Sequence, residues 1–401
     1  MTGRPLRIAI VAEQFFPDAG GAERSAAQIL EQLVKRGHNL TLLSGAYPRD
    51  FHWPGVKARQ APMGRPRGLV PLLSFAAWAR RQLDAGFDTS LSITTMVPAA
   101  VLQPRAGLVV QSQDRAAARR RTRLGRLART ASARLEPRQQ VLRLIERRTL
   151  GDPRLRRIVA ISRYVAEDLK RYYAVPEHRI ELIPNAAEVP DVSDAQRTRW
   201  RRELRAAFSI ADDEPVALFP AIDPWRKGIE PLMQAVARFS QAGRPLTVLV
   251  AGTLDYAGQV LVWRLGVRDR VRFVGPTQHM AALYVTADLT VLPTFHDAAS
   301  KVILESLMLG TPAISTRYNG ASDFIIEADA VRGRVLDDPA DVPGLVAAMT
   351  ELLEPAEHAR CAAATAGLAQ RLTMTRHVDR LEQVLRDAAA GAERPAVPAK
   401  A

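Results

Sequence analysis

The sequence predicts an α/β protein built from two consecutive domains, each a doubly wound parallel sheet. Three observations predict it. The chain opens with an apolar strand, a loop, an amphipathic helix and a second strand; a second alternating series of strands and helices begins near Val216; and each series starts with a strand followed by a loop long enough to hold a phosphate. At 401 residues the chain also exceeds what one ordinary core accommodates.

The first strand is read as Leu6 to Val11, an apolar run with β-branched members. The loop Glu13 to Gly21 carries Pro17 and the pair Gly20-Gly21. Ala26, Ile29, Leu30, Leu33 and Val34 then recur at helical spacing, Gly37 fits the helix C-terminus, and Leu40 to Leu43 is the next strand. Arg157 to Ile161 and Ile180 to Pro184 read as further strands. Residues Val189 to Glu214 are charged and poor in large apolar side chains apart from Trp200 and Phe208, and read as a bridge between domains. The second series comprises Val216 to Phe219, Thr247 to Val250, Val271 to Val274, Leu289 to Leu292 and Ala313 to Ser315, with helical segments between. A helix from Leu368 to Ala388 closes the chain, before an Ala/Pro-rich tail. The predicted division is therefore 1–188 and 189–375 for the two Rossmann-like domains, with a closing helix over 376–390 that returns towards the first domain and a disordered tail over 391–401.

With 47% hydrophobic and 24% charged residues the chain reads as globular. Cys361 is its single cysteine and has no partner for an internal disulfide. The N-terminus lacks the order of a signal peptide, and the longest apolar stretch, Leu69 to Leu83, is interrupted by Arg80 and Arg81 and is too short to span a bilayer. A cytoplasmic protein is expected. Of the net charge of +14, the stretch Arg115 to Arg157 supplies +12, with fifteen Arg against Glu136, Glu146 and Asp152. It reads either as a solvated helical face or as a patch for anionic lipid. Nucleic acid is not expected, because no helix-turn-helix, zinc-finger or aromatic RNA-binding signature accompanies the charge.

The chemistry concentrates in Leu292-Pro-Thr-Phe-His-Asp-Ala-Ala-Ser-Lys-Val-Ile-Leu-Glu305. A strand ends there, a loop of small residues follows, and a helix starts near Ser300; such a junction presents N–H groups to a diphosphate. Lys301 adds a point charge. Asp297 and Glu305 are separated by roughly 12 Å if helical, at about 1.5 Å per residue, too far to share a proton but suited to opposite ends of one folded nucleotide-sugar. Upstream, Arg226 and Lys227 in Asp223-Pro-Trp-Arg-Lys-Gly228 precede a helix and can clamp phosphate oxygens. Each feature also has a bland reading: a satisfied helix Glu, an acidic loop, a solvated basic turn, a glycine pair that merely turns the chain. His38 reads as a capping or strand-start residue, His296 as either buried or donor-facing, Trp225 as cover for the basic turn, and Tyr172-Tyr173 as packing.

Taken in order, Phe15 to Arg24, Ile161-Ser162-Arg163, Ile183-Pro184-Asn185, Arg226-Lys227-Gly228 and the 297-to-305 segment with Gly310-Thr-Pro312 resemble the motifs of the family 4 retaining glycosyltransferases, over about residues 6 to 326. Within that family, Asp297 to Glu305 and the absence of an arginine at Ile222 look most like the bacterial lipopolysaccharide core glucosyltransferases. The resemblance implies the GT-B fold, two Rossmann-like domains facing across a cleft, and a hexose transferred from a nucleotide-sugar, UDP-linked by expectation, with retention and without a metal or other cofactor. It implies that Gly20 and Gly21 line the cleft and that Arg226 and Lys227 bind the diphosphate. Asp297 would meet the donor sugar hydroxyls and Glu305 the ribose, with the N–H groups of Ala299 and Ser300 on phosphate or sugar and Lys301 beside them. The chain departs from the pattern at Asp297, where the family has Glu, at Ala186, where it has Gly, and in Val110-Gln-Ser-Gln-Asp114, which offers Gln111, Gln113 and Asp114 but no His. Asp114 is the acidic candidate there. The implied acceptor is a lipopolysaccharide-core or other lipid-linked glycan, met at the inner face of the cytoplasmic membrane. An exopolysaccharide, glycolipid or small-molecule acceptor, or a silent scaffold of the same fold, are the alternatives. No Asp-x-Asp metal motif occurs in the sequence.

Overall fold

The computed structural model describes residues 4–17, 20–62, 68–118, 136–220 and 222–391. Its contacts divide into two compact units, the second of which comprises Asn185–Thr373 and, of the described residues before it, 115–118, while Met374 onwards belongs with the first. The first unit contains β1 (Arg7–Ala12), β2 (Asn39–Ser44), β3 (Val56–Gln60), β4 (Thr89–Ser92), β5 (Val101–Leu102), β6 (Arg157–Ala160) and β7 (Ile180–Leu182). All pair in parallel, in the order β3-β2-β1-β4-β5-β6-β7. Ile8 to Ala12 are fully buried, which is why β1 reads as a continuous apolar run: helices cover both faces of a parallel sheet.

The helix Gly21–Lys35 buries Ala26, Ile29, Leu30 and Leu33, the spacing its sequence shows, and ends where Gly37 takes a φ of +83°. His38 follows; its Nδ1 accepts the Leu6 N–H at 3.1 Å and so pins the start of β1. The last helix, Met374–Ala390, packs on Gly21–Lys35 and β4 with Val378, Leu381 and Leu385 buried. Arg36 donates to Glu382 at 2.9 Å, and Arg380 pairs with Glu181 at 2.7 Å.

The second unit contains β8 (Val216–Pro220), β9 (Thr247–Ala251), β10 (Val271–Gly275), β11 (Leu289–Val291) and β12 (Ala313–Thr316). A short antiparallel hairpin of β13 (Ile326–Glu327) and β14 (Ala330–Val331) precedes β15 (Gly333–Leu336), and the parallel sheet runs β10-β9-β8-β11-β12-β15. In each sheet the strand order reverses once, between β1 and β4 and between β8 and β11. Parallel α/β sheets bind ligands in the crevice beyond the carboxyl ends of the strands at such a reversal.

Two expectations need correction. The segment 189–214 is no bridge: its helix, Asp194–Ala207, belongs to the second unit, where Trp200, Leu204 and Phe208 pack on a core including Val192, Ile210 and Tyr284. Two of the charges that suggested a linker are used internally, since Arg201 and Arg205 reach the Asp288 carboxylate at 2.7 and 3.4 Å. The closing helix is also not continuous from Leu368; a short turn, Leu368–Arg371, is separate from Met374–Ala390. The backbone at Ala186 is not among the described non-glycine residues with positive φ, so the missing glycine costs nothing there.

In the Arg-rich stretch, residues 119–135, and with them Arg119, Arg120, Arg121, Arg123, Leu124, Leu127 and Leu135, lie outside the described residues, as does the tail beyond Gly391. In the described helix Pro137–Leu150, Leu142 and Ile145 pack on the core of the first unit, whereas Leu144 is exposed. Among the described residues no helix is long and apolar enough to cross a membrane.

Candidate active site

At the reversal of the second sheet, the loops after β8 and β11 meet. The basic turn is built by Asp223, whose carboxylate accepts from the Arg226 main chain at 3.2 Å and from Arg226 Nε at 3.1 Å. Arg226 also donates to the His296 carbonyl at 2.8 Å, while Phe295 N–H donates back to the Arg226 carbonyl at 2.9 Å. Gly228 ends the turn at φ +90°, and a Cβ there would stand 2.1 Å from the Pro293 oxygen. Only glycine lets the two loops lie this close. Trp225 ties the turn to Asp255, its indole N–H donating to that carboxylate at about 3 Å.

Lys227 and Asp297, which are 70 positions apart, join as an ion pair in this arrangement. Burial pushes the Lys227 ammonium well below its ordinary range, and neighbouring Arg226 pushes the same way against Asp223. The contact with the Asp297 carboxylate is what compensates a charge held out of water. Asp297 is placed by its main chain, its N–H donating to Tyr318 and its carbonyl accepting from Gly320.

The loop 297–300 is held by two asparagines. Asn185 Nδ2 donates to the Ala299 carbonyl at 2.8 Å, giving the Ile183-Pro184-Asn185 motif a structural purpose. Asn319 Oδ1 accepts the N–H groups of Ser300 and Ala321, both at 3.1 Å. The Ser300 N–H therefore already has a protein partner rather than facing open space. Ser300 stands at the N-cap position of the helix Lys301–Met308 without a capping side-chain hydrogen bond, and Lys301 is largely buried. On the same helix Glu305 accepts from Tyr284 Oη at 3.0 Å, and burial beside that carboxylate drives the phenol well above its usual range. The His296 ring is buried.

At the reversal of the first sheet, a cavity of about 520 Å³ is lined by Glu13, Glu23, Thr94, Arg105, Gln113 and Arg138, among others. Burial raises the Glu13 carboxyl, which the Thr94 hydroxyl opposes by donating to it. Gly20 precedes the helix in extended backbone and Gly21 is its first residue; the cavity wall is made by the next two, Ala22 and Glu23. Asp114 is drawn to Arg143 at 3.0 Å, and the Tyr172 hydroxyl, pushed up to about 12 by burial first and then by its hydrogen bond to Asp114, sits against it. Its neighbour Gln113 lines the cavity instead. Gln111 is structural, donating to Asp168 at 2.6 Å. Of the polar groups missed by the sequence reading, Thr94 and Arg105 follow the short strands β4 and β5, and Glu13 opens the loop after β1; no motif marks any of them. Among the described residues no group of three or more His, Cys, Asp or Glu is arranged to hold a metal ion.

Comparison with known proteins places these features in a lineage. A family model described as Glycosyltransferase Family 4 matches residues 19–189, and one described as Glycosyl transferases group 1 matches residues 201–367. Lipopolysaccharide glucosyltransferase WaaG of Escherichia coli strain K12 is 24% identical over 342 residues, 83% of this chain and 85% of that protein. The crystal structure of a WaaG glycosyltransferase superposes with a TM-score of 0.77 at 20% identity, over 94% of this chain and 99% of the other. Anabaena HepE in complex with UDP and glucose gives 0.67 at 17% identity, over 95% and 99%. These likenesses show that the two parallel-sheet units are those of the GT-B fold.

Proposed function

The chain belongs to the group 1 and family 4 glycosyltransferases, and on that premise we propose that it transfers a hexose, with retention, from a UDP-linked donor to a membrane-associated glycan. The observation that carries the donor half is that Arg226 and Lys227 both meet the loop after β11 at the reversal of the second sheet, Arg226 on the His296 carbonyl and Lys227 on the Asp297 carboxylate. The departing diphosphate needs fixed positive charge in a site poor in water, and two cations prebuilt there supply it without rearrangement. Asp297 then meets sugar hydroxyls, and Glu305, oriented by Tyr284, meets the ribose. Lys301 and the N–H group of Ala299 complete the phosphate end, while the Ser300 N–H, taken by Asn319, has no part in it. The chemistry runs on cations and dipoles, with no metal in any step.

The cavity of the first unit is where the acceptor sits. Its mixture of carboxyl, guanidinium, hydroxyl and amide groups suits a polyhydroxylated ligand, which needs donors and acceptors together. The likeness to WaaG and to a UDP-bound HepE supports glucose or a related hexose, UDP, and a lipopolysaccharide-core acceptor. The enzyme works at the inner face of the cytoplasmic membrane, held by the arginines of 115–157. A thermal-shift panel of UDP-, GDP- and ADP-sugars tests the reading, because a bound ligand stabilises by mass action. UDP-glucose is expected to raise the melting temperature most; no shift with any UDP-sugar sinks it.

A further inference from the structure

One buried cation in the first unit has no part in the transfer chemistry. Arg105 follows β5, is 6% exposed and lines the cavity. Hydrogen bonds in series fix it from the far side. His377 Nδ1 lies 2.7 Å from the Pro184 carbonyl, so that nitrogen carries the proton. His377 Nε2 is then the acceptor of a neutral ring, and the Gln103 amide donates to it at 3.0 Å. Gln103 therefore turns its oxygen towards Arg105, whose guanidinium donates at 3.0 Å. Gln103 and His377 are themselves buried, and each link sets the polarity of the next. An arginine held this way has surrendered its rotamer freedom before any ligand arrives.

The surrounding charges favour an anion. Arg138 stands with Arg105 on the cavity wall, against Glu13 and Glu23. Burial favours the neutral form of Glu13, which weakens the acidic side. Burial also lowers Arg105, to about 10, with Glu23 opposing, so it stays protonated at neutral pH. The nearby helix N-terminus is not the anion's partner, because Glu146 already accepts the Val109 and Val110 N–H groups at 2.7 and 3.1 Å. A guanidinium fork matches a carboxylate or a phosphate better than any neutral group. We propose that Arg105, positioned by Gln103 and His377, selects an acceptor sugar that carries an anionic substituent, a carboxylate or a phosphate. The inference rests on the reading of this cavity as the acceptor site.

Calorimetric titration of the full chain, saturated with UDP, tests it with glucose 6-phosphate, glucuronic acid and glucose as probes. At least one charged sugar is expected to bind ten times or more tightly than glucose, and which of the two does so separates phosphate from carboxylate. Arg105→Gln should abolish the preference, and Arg105→Lys should restore part of it. His377→Asn should reduce it while leaving UDP affinity unchanged. Glucose binding as tightly as both charged sugars, no binding of either at tens of millimolar, or a preference that survives Arg105→Gln overturns the proposal. A preference untouched by His377→Asn removes the positioning role. UDP affinity, measured first and alone, reports separately on the donor reading of the second unit.

Discussion

Lys227 and Asp297 neutralise each other when no ligand is bound, and this sets what their replacement does. On the proposed donor reading, an incoming diphosphate would compete for the ammonium and release Asp297 towards the sugar. Arg226→Ala and Lys227→Ala should each lower turnover by tens- to thousands-fold, on the order of 2–4 kcal/mol, with unchanged circular dichroism. Near-normal turnover in both would remove them from the diphosphate site. Asp297→Asn should leave UDP affinity intact or raise it, because the ammonium loses its internal counter-charge, while sugar transfer falls. Glu305→Gln should weaken UDP itself, and calorimetry with UDP alone separates the two; equal losses would dissolve the division of roles. The place of these residues, in the loops after β8 and β11 and on the helix that follows, was legible in the sequence because strand, small-residue loop and helix stand in an order with a physical meaning. Glu13, Thr94 and Arg105 were not, because their importance comes from which loops lie beside them at the sheet reversal. Asp114 stood out as an acid and Gln113 did not, yet the first is engaged by Arg143 and Tyr172 while the second lines the cavity.

Elements carry the site through a few unforgiving contacts, and Gly228 is the sharpest. Gly228→Ala drives a methyl group into the Pro293 carbonyl at a left-handed φ, so the turn must move. A loss of roughly 2–4 kcal/mol in urea unfolding is expected, the range of backbone strain and overpacking at one site, together with loss of transfer. Wild-type stability would mean that the loops are not packed as described. The start of β1 gives a pH dependence. His38 has its pKa lowered from 6.5, by burial above all, so the folded state prefers the neutral ring that accepts from Leu6. The unfolded chain then binds more protons between the two values, and the contribution of His38, full above pH 6.5, is lost as pH falls through the lowered folded value. Glu382, whose pKa is lowered by Arg36, Arg386 and His38 against its own burial, is lost only below the usual carboxylate range of about 4.5. Urea midpoints should therefore drop between pH 7 and 5 in the wild type and much less in His38→Gln; parallel drops would assign the effect elsewhere. The fully buried strands declared themselves as apolar runs. β3, exposed and charged at the edge in Val-Lys-Ala-Arg-Gln, and β5, two residues long, carry too little pattern to be found without their neighbours.

Across the whole molecule, two α/β series announced two units; the contacts pass from the first to the second after Pro184, where the sequence reading set the boundary at 188. What the pattern hid was the fate of charge. The Asp194–Ala207 helix resembles a linker because an arginine such as Arg205, buried on the Asp288 carboxylate, looks the same in sequence as an arginine in water. The same ambiguity governs the stretch 115–157, and a liposome experiment resolves it. Sedimentation should require anionic lipid, weaken as salt shortens the screening length below about 10 Å, and fall when Arg119, Arg120, Arg121 and Arg123 become Gln. Indifference to anionic vesicles at low salt would make the stretch a solvated face. The central claim is that the second unit holds a nucleotide-sugar on prebuilt cations. Calorimetric titration with UDP-glucose, run on the wild type and on Lys227→Ala, tests it most directly. The account predicts saturable one-to-one binding that the substitution weakens at least tenfold with the fold intact; no binding by the wild type, or equal binding by both, would contradict it.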